Sequence, residues 1–224
     1  IKPCFGCTKL KNILPASIQK LLDQVSDRHR LEEDIHSILN QIFNCAVKHG
    51  ALQVNPVGMC FHQNGERKHG KRIEKSEEEL LLNAYAGTPI QIIFAIMSYT
   101  GLRPGEYATA VIVGNFIKAK NSKRKNGKVE FKLIPITPML RPYINGLIEL
   151  PKINLKTLDK RFKAVLPHHK LYDMRTTFQT RCSECGIPDN VIGIWMGNSI
   201  GKLKEAYTDF SEEYLLTEAE KFNY

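Results

Sequence analysis

The sequence predicts a mainly helical chain with one small antiparallel sheet, an α+β fold. Two observations point to it. Apolar residues recur at i, i+3 and i+4 over Leu31–His49, as Ile35, Ile38, Leu39, Ile42, Phe43 and Ala46, and Leu155–Val165 is amphipathic too. Only one region has strand character: Val111–Lys120 and Lys128–Thr137, joined by a turn ending in Asn126-Gly127, a strong hairpin signal.

The elements follow in order. Residues 1–10 have no clear period. Pro15 opens a short helix with Ile18, Leu21, Leu22 and Val25 on one face, and Gly50 is a natural stop for the longer helix after it. Asn55-Pro56 ends a first helical domain, 1–57. Residues 58–75 are polar, with Arg67, Lys68, Lys71 and Arg72 clustered between glycines, and read as an exposed basic linker. A second domain spans 76–224. Ser76 and Glu79 are spaced as a capping box for a helix running to about Tyr85. Thr88-Pro89 caps a buried helix that ends at Thr100-Gly101, and Pro104-Gly105-Glu106 begins a further short helix. After the strands, Thr137-Pro138 is expected to cap a helix. Leu171–Cys185 reads as helical, stopped by Gly186, and Pro188–Met196 as another short helix. Ser211 caps a last helix in which Phe210, Tyr214 and Phe222 share an apolar stripe.

Composition narrows the function. The 224 residues carry 32 Lys and Arg against 23 Asp and Glu, a net charge of +9. A pI near 9.2 points to a polyanionic partner, since clustered cations gain affinity by releasing phosphate counterions. The longest apolar-rich run, Ile90–Met97, falls short of the roughly 18 residues of a membrane span. The chain does not begin with Met and has no signal peptide, so it reads as a piece of a longer cytoplasmic protein. Two CxxC pairs, Cys4/Cys7 and Cys182/Cys185, lie far apart, the second inside a helix. They read as reduced thiols rather than a metal or redox site.

Four features remain. An arginine, Arg103, follows the buried helix in Thr100-Gly101-Leu102-Arg103-Pro104-Gly105-Glu106. The hairpin carries a lysine cluster. Arg175 stands near a helix start in Tyr172-Asp173-Met174-Arg175. Tyr207 lies downstream in Tyr207-Thr208-Asp209, after Met196-Gly197-Asn198. In this order and at these spacings the chain resembles the catalytic domain of the tyrosine recombinases, the phage-integrase family. The likeness is good over about 76–224 and looser over 15–60, which looks like the end of the family's helical core-binding domain.

The resemblance implies DNA cleavage by Tyr207 through a 3′-phosphotyrosyl intermediate, with Arg103 and Arg175 binding the scissile phosphate. It implies a hairpin lysine as acid for the leaving 5′-oxygen: Lys123 fits best, with Lys120 and Lys125 open. It implies a third-motif role for Asn198 and a site role for Tyr172, where the family usually has histidines; His168 and His169 are the neighbouring imidazoles. It also implies double-stranded DNA as partner, a homotetramer on two duplexes, and no cofactor or metal. Lys118, Lys120, Arg124, Lys125 and Lys128 of the hairpin, with Arg67, Lys68, Lys71 and Arg72 of the linker, are the expected DNA contacts.

The chemistry stands beside the resemblance. A phosphodiester gathers negative charge on its non-bridging oxygens as it becomes pentacoordinate, and guanidiniums offer planar donor forks that stay charged. A tyrosyl ester conserves the phosphodiester's energy for rejoining. Two other readings share the pattern. A type IB topoisomerase uses the same chemistry. A DNA-binding regulator with the same fold but no catalysis would suit Tyr172 and Asn198.

Overall fold

The computed structural model describes residues 1–62, 70–122, 129–198 and 210–224. The chain forms two compact units, Ile1–Lys68 and His69–Tyr224. No helix among the described residues is long and apolar enough to cross a membrane.

The first unit contains α1 (Lys2–Phe5), α2 (Pro15–Asp23) and α3 (His29–Lys48). Ile18, Leu22, Leu39 and Phe43 form its core, joined by Val57 from a 3₁₀ turn at Pro56–Met59. Asn55 fixes that turn: its amide donates to Asn40 and Asn44 of α3, both at 2.7 Å, while its oxygen accepts from the Val57 N–H at 2.9 Å. Phe61 N–H donates to Gln19 at 2.8 Å. Residues 58–62, expected to open the linker, are therefore pinned to this unit. Ile38 and Ile42, expected on the buried stripe of α3, are exposed.

The second unit begins before Ser76. Residues 70–74 run along the later helix α9 (Asp173–Glu184) and exchange hydrogen bonds with it. The Lys71 N–H donates to Asp173 at 3.3 Å, and the Ile73 N–H to Thr177 at 2.8 Å. The Ile73 carbonyl accepts from Arg181 at 3.2 Å, and Arg72 pairs with Glu184. Asp173, Thr177, Arg181 and Glu184 fall at i, i+4, i+8 and i+11, one face of the helix. Because Ile73 is buried there, α4 (Lys75–Ala84) starts earlier than expected. Its capping box is Glu74 with Glu77 rather than Ser76 with Glu79. Arg181 also binds Glu78 and the Tyr224 hydroxyl, with its guanidinium 4.4 Å from the Tyr224 ring centre.

Thr88 caps α5 (Pro89–Thr100) as expected, and Ile93–Thr100 is buried throughout. The helix stops at Gly101, whose φ is +59°, and α6 (Pro104–Tyr107) follows. The sheet has three strands, not two: β1 (Val111–Val113), β2 (Phe116–Lys120) and β3 (Phe131–Pro135), in that order and antiparallel. The single strand expected over 111–120 breaks at Gly114, where φ is +56°. The Asn126-Gly127 turn lies outside the described residues. Thr137 does not cap α7 (Arg141–Ile144) with its side chain. Its carbonyl instead accepts from Leu140 and Arg141, at 3.0 and 3.1 Å, closing a turn before the helix.

The remaining helices among the described residues are α8 (Leu155–Val165), α9, α10 (Asp189–Met196) and α11 (Glu212–Ala219), the last capped by Ser211. They enclose a core containing Phe94, Phe162, Phe178, Trp195 and Phe222. Phe222 packs 5.2 Å from Phe178 and 6.4 Å from Tyr99, ring centre to ring centre, so the tail after α11 docks on its own unit.

Gly101 gives the first test. A Cβ there would meet the Phe178 ring at 2.4 Å, in addition to the left-handed backbone. Gly50 has φ +72° with open space around it. In urea denaturation, Gly50→Ala is expected to cost about 1 kcal/mol for the backbone alone. Gly101→Ala is expected to cost about 2–4 kcal/mol, because overpacking adds to that strain.

Candidate active site

The site forms where α5, α6, α9, α10 and the sheet converge. Gly101 turns the chain out of α5 so that its carbonyl faces α9. That carbonyl accepts from Nη1 of Arg175 at 2.6 Å, and the Met196 carbonyl at the end of α10 accepts from Nη2 at 2.7 Å. Arg175 is 2% exposed. Burial lowers its pKa and Arg103's positive charge adds to the shift, while Tyr172 offsets part of it.

Arg103 precedes α6. Its N–H donates to Glu106 Oε2 at 2.9 Å and its Nη1 to Oε1 at 2.8 Å. Both guanidiniums also reach one atom: Nη2 of Arg103 lies 3.4 Å and Nη2 of Arg175 3.2 Å from Asn198 Oδ1. Gly197 places that asparagine. Its φ of +62° ends α10, and a Cβ there would lie 2.8 Å from both Asn121 Nδ2 and Lys132 Cδ. Arg103, Arg175 and Asn198, named from sequence, are thus brought together.

Glu106 is 1% exposed and gathers more than Arg103. Oε2 accepts from Lys132 Nζ at 2.5 Å, and Oε1 accepts from the Ser122 N–H at 3.0 Å and hydroxyl at 2.9 Å. Burial works to raise its pKa, but bonds from Lys132, Ser122 and Arg103 outweigh this and bring it to about 2. Lys132 is a member of the cluster that sequence reasoning missed. It is 4% exposed on β3 and also donates to the Met196 carbonyl at 3.3 Å. Burial lowers its pKa to about 8, against the pull of Glu106. Period two was the available signal, because Lys132 shares a sheet face with buried Ile134.

Among the described residues, the hydrogen-bonded cluster holds three cations, Arg103, Arg175 and Lys132, and one carboxylate, Glu106. Arg175 is held only by uncharged acceptors among the described residues. The cluster therefore carries two positive charges in excess, in a site largely removed from water. An anion satisfies it electrostatically, and the shared Asn198 oxygen marks where an anionic oxygen reaches both forks.

The other expected residues divide. Tyr172 is 47% exposed at the N-terminal flank of α9, near Arg175. His169 points elsewhere, its nitrogens 3.2 Å from Asp173 and 3.3 Å from Glu77, and His168 is exposed. Tyr207, Lys123, Arg124, Lys125 and Lys128 lie outside the described residues, as do Arg67 and Lys68. Lys118 and Lys120 share the outer sheet face, where the Lys118 ammonium sits 5.0 Å from the Phe131 ring centre. Lys71 is exposed, and Arg72 pairs with Glu184 and Glu74. Cys182 is buried in the core of α9, where burial pushes its thiol pKa up. No cluster of His, Cys, Asp and Glu among the described residues is arranged to hold a metal.

No sequence-family model and no curated protein matches the chain. Solved structures do. A lambda integrase dimer bound to a COC′ core site superposes with a TM-score of 0.68 at 17% identity, covering 91% of this chain and 84% of that one. A lambda integrase tetramer bound to a Holliday junction gives 0.70 at 16%, covering 93% and 68%. The Tn1549 transposon integrase with circular intermediate DNA gives 0.64 at 15%, covering 92% and 84%. The chain shares their fold. The helices and the small sheet that position Arg103, Arg175 and Asn198 belong to that architecture.

The buried carboxylate sets a pH dependence. The folded chain keeps Glu106 ionised down to about 2, whereas its ordinary pKa is 4.5. Its contribution to stability is therefore full above 4.5 and lost as pH falls toward 2. Glu106→Gln, which leaves Lys132 buried beside a neutral amide, is expected to cost on the order of 3–5 kcal/mol at neutral pH. In melts taken from pH 6 downward, the gap to wild type should close only below about 4.5.

Proposed function

We propose that this protein is a site-specific DNA recombinase of the tyrosine type, which cleaves and rejoins duplex DNA at a phosphate bound by Arg103 and Arg175. One observation carries the reading: two guanidiniums converge on a single acceptor oxygen in a buried cluster with two excess positive charges. A scissile phosphodiester supplies the missing anion, and its non-bridging oxygens become more demanding of donors in the transition state.

In this reading the Tyr207 hydroxyl oxygen bonds to phosphorus as the bond to the 5′-oxygen breaks. Lys123 protonates that oxygen, and the phenol proton passes to water. The strand is left as a 3′-phosphotyrosyl ester with a free 5′-hydroxyl, and attack by a partner strand's 5′-hydroxyl reverses the step. Asn198 donates to a non-bridging oxygen through its amide nitrogen, and Tyr172 hydrogen-bonds the phosphate from the solvent side. Lys71, Arg72, Lys118 and Lys120, with Arg67, Lys68, Arg124, Lys125 and Lys128, contact the backbone and set affinity and its salt dependence. The first unit supplies further DNA contacts as a core-binding domain. The fold's likeness to integrases solved as DNA-bound dimers and tetramers supports duplex DNA as partner and four protomers as the working assembly.

One observation favours a regulator without catalysis. Asn198 already gives both arginines an internal acceptor.

A pool of nicked duplexes with randomised centres separates the two. Incubated with the full chain and run on a denaturing gel, the pool should yield a covalent protein–DNA adduct. Tyr207→Phe should abolish the adduct, and Arg175→Ala should lower it by about 10²-fold or more. Retained duplexes with no adduct would establish the regulator instead.

A further inference from the structure

Lys132 should not be where it is on packing grounds alone. It lies on β3 opposite Ala119, on the inner sheet face with Ile117 and Ile134, both fully buried. An apolar side chain would fill that position without the cost of taking an ammonium out of water. Its bonds account for its presence. Lys132 donates to Glu106, which holds Arg103, and to the Met196 carbonyl, which also holds Arg175. Arg175 and Arg103 then both reach Asn198.

The six groups form a closed cycle in which donors and acceptors alternate: Arg103, Glu106, Lys132, the Met196 carbonyl, Arg175 and Asn198. Asn198 closes the cycle on its open side. Lys132 closes it on the side facing the sheet, at 4% exposure.

We propose that Lys132 is a positioning residue of the strand-cleavage site, fixing the spacing of the Arg103 and Arg175 guanidiniums by holding one acceptor of each. The proposal rests on the reading of those arginines as the phosphate-binding pair. It also assigns work to the hairpin base. Ser122 docks on the same carboxylate, and Asn121 donates to the Gly197 carbonyl at 3.1 Å, so the chain just past β2 is anchored to the arginine cluster. A phosphate bound between two forks of fixed separation is held for in-line attack, and a displacement of about 1 Å costs on the order of 10²-fold in rate.

The test uses a duplex recovered as an adduct from the nicked pool and single-turnover adduct formation by the full chain. Lys132→Met and Lys132→Gln are both made, the glutamine keeping donors without the charge. Each is expected to slow adduct formation at saturating DNA by about 10–100-fold, with the half-saturating DNA concentration unchanged within about threefold. Lys132→Arg, which restores a cation, should recover most of the rate. Thermal melts accompany each variant. Three results would overturn the proposal: saturated rates of folded Met and Gln variants within about threefold of wild type, a loss confined to DNA affinity, or rates that follow melting temperature across all three variants. The two readings fail differently. If wild type forms no adduct with any duplex, the cleavage reading falls; if wild type forms it and Lys132→Gln does so equally fast, only the positioning role falls.

Discussion

The buried carboxylate of Glu106 is the interaction on which the second unit's site depends. Among the described residues, its two oxygens take five hydrogen bonds: two from Arg103, two from Ser122 and one from Lys132. Those donors come from the start of α6, the end of β2 and the middle of β3. A buried carboxylate is costly unless its lone pairs are met, and here the donors that meet them come from three separate elements. Removing any one leaves charge behind in a dry place. The sheet and the helix that follows α5 are thus held in register by electrostatics as much as by apolar packing. Helix α9 joins the same system through Arg175, whose acceptors are backbone carbonyls at the ends of α5 and α10.

Main-chain carbonyls at helix ends suit that task. The last carbonyls of a helix lack intrahelical partners and carry partial negative charge. Gly101 and Gly197 both end their helices in the left-handed conformation, turning the chain away. Arg175 satisfies one carbonyl at each end. Two helix termini and one guanidinium therefore complete each other, while the net charge stays positive because carbonyls neutralise nothing. A second carboxylate would have been a better partner for Arg175 in isolation. Its absence among the described partners leaves the cluster with charge to spare for an anion.

Much of this was legible in the sequence, for identifiable reasons. Thr88-Pro89 and Gly101 bound α5 because capping chemistry is local, and Arg103, Arg175 and Asn198 were marked by motif and spacing. The errors arise where tertiary contacts outvote local signals. Ser76 lost the cap of α4 to Glu74 because Ile73 had to be buried against α9. Gly114 split a strand that looked continuous, since one left-handed residue suffices for a tight turn. In β3, Phe131 is 58% exposed while Lys132 is buried, the reverse of what residue type suggests. Strand alternation put Lys132 on the inner face, but only the position of Glu106, distant in sequence, gives an ammonium a reason to be there.

Helix α9 shows why a site of this kind resists reading by pattern. Asp173, Met174, Arg175, Thr177, Phe178, Arg181 and Cys182 are all buried, so apolar and charged residues alternate with no stripe to mark a core face. Its buried faces meet different chemistry, while Gln179 and Ser183 are exposed. Asp173, Thr177 and Arg181 meet the chain leaving the linker, Phe178 and Cys182 enter the core, and Arg175 enters the arginine cluster. A rod fixed along two faces presents its third with little freedom. Arg175 thereby gains a defined direction without relying on its own flexible side chain, which loses much rotamer entropy when ordered. The stitching of residues 70–74 to α9 belongs to the same account as the guanidinium's aim: both follow from holding one helix rigid against segments that arrive from opposite ends of the unit.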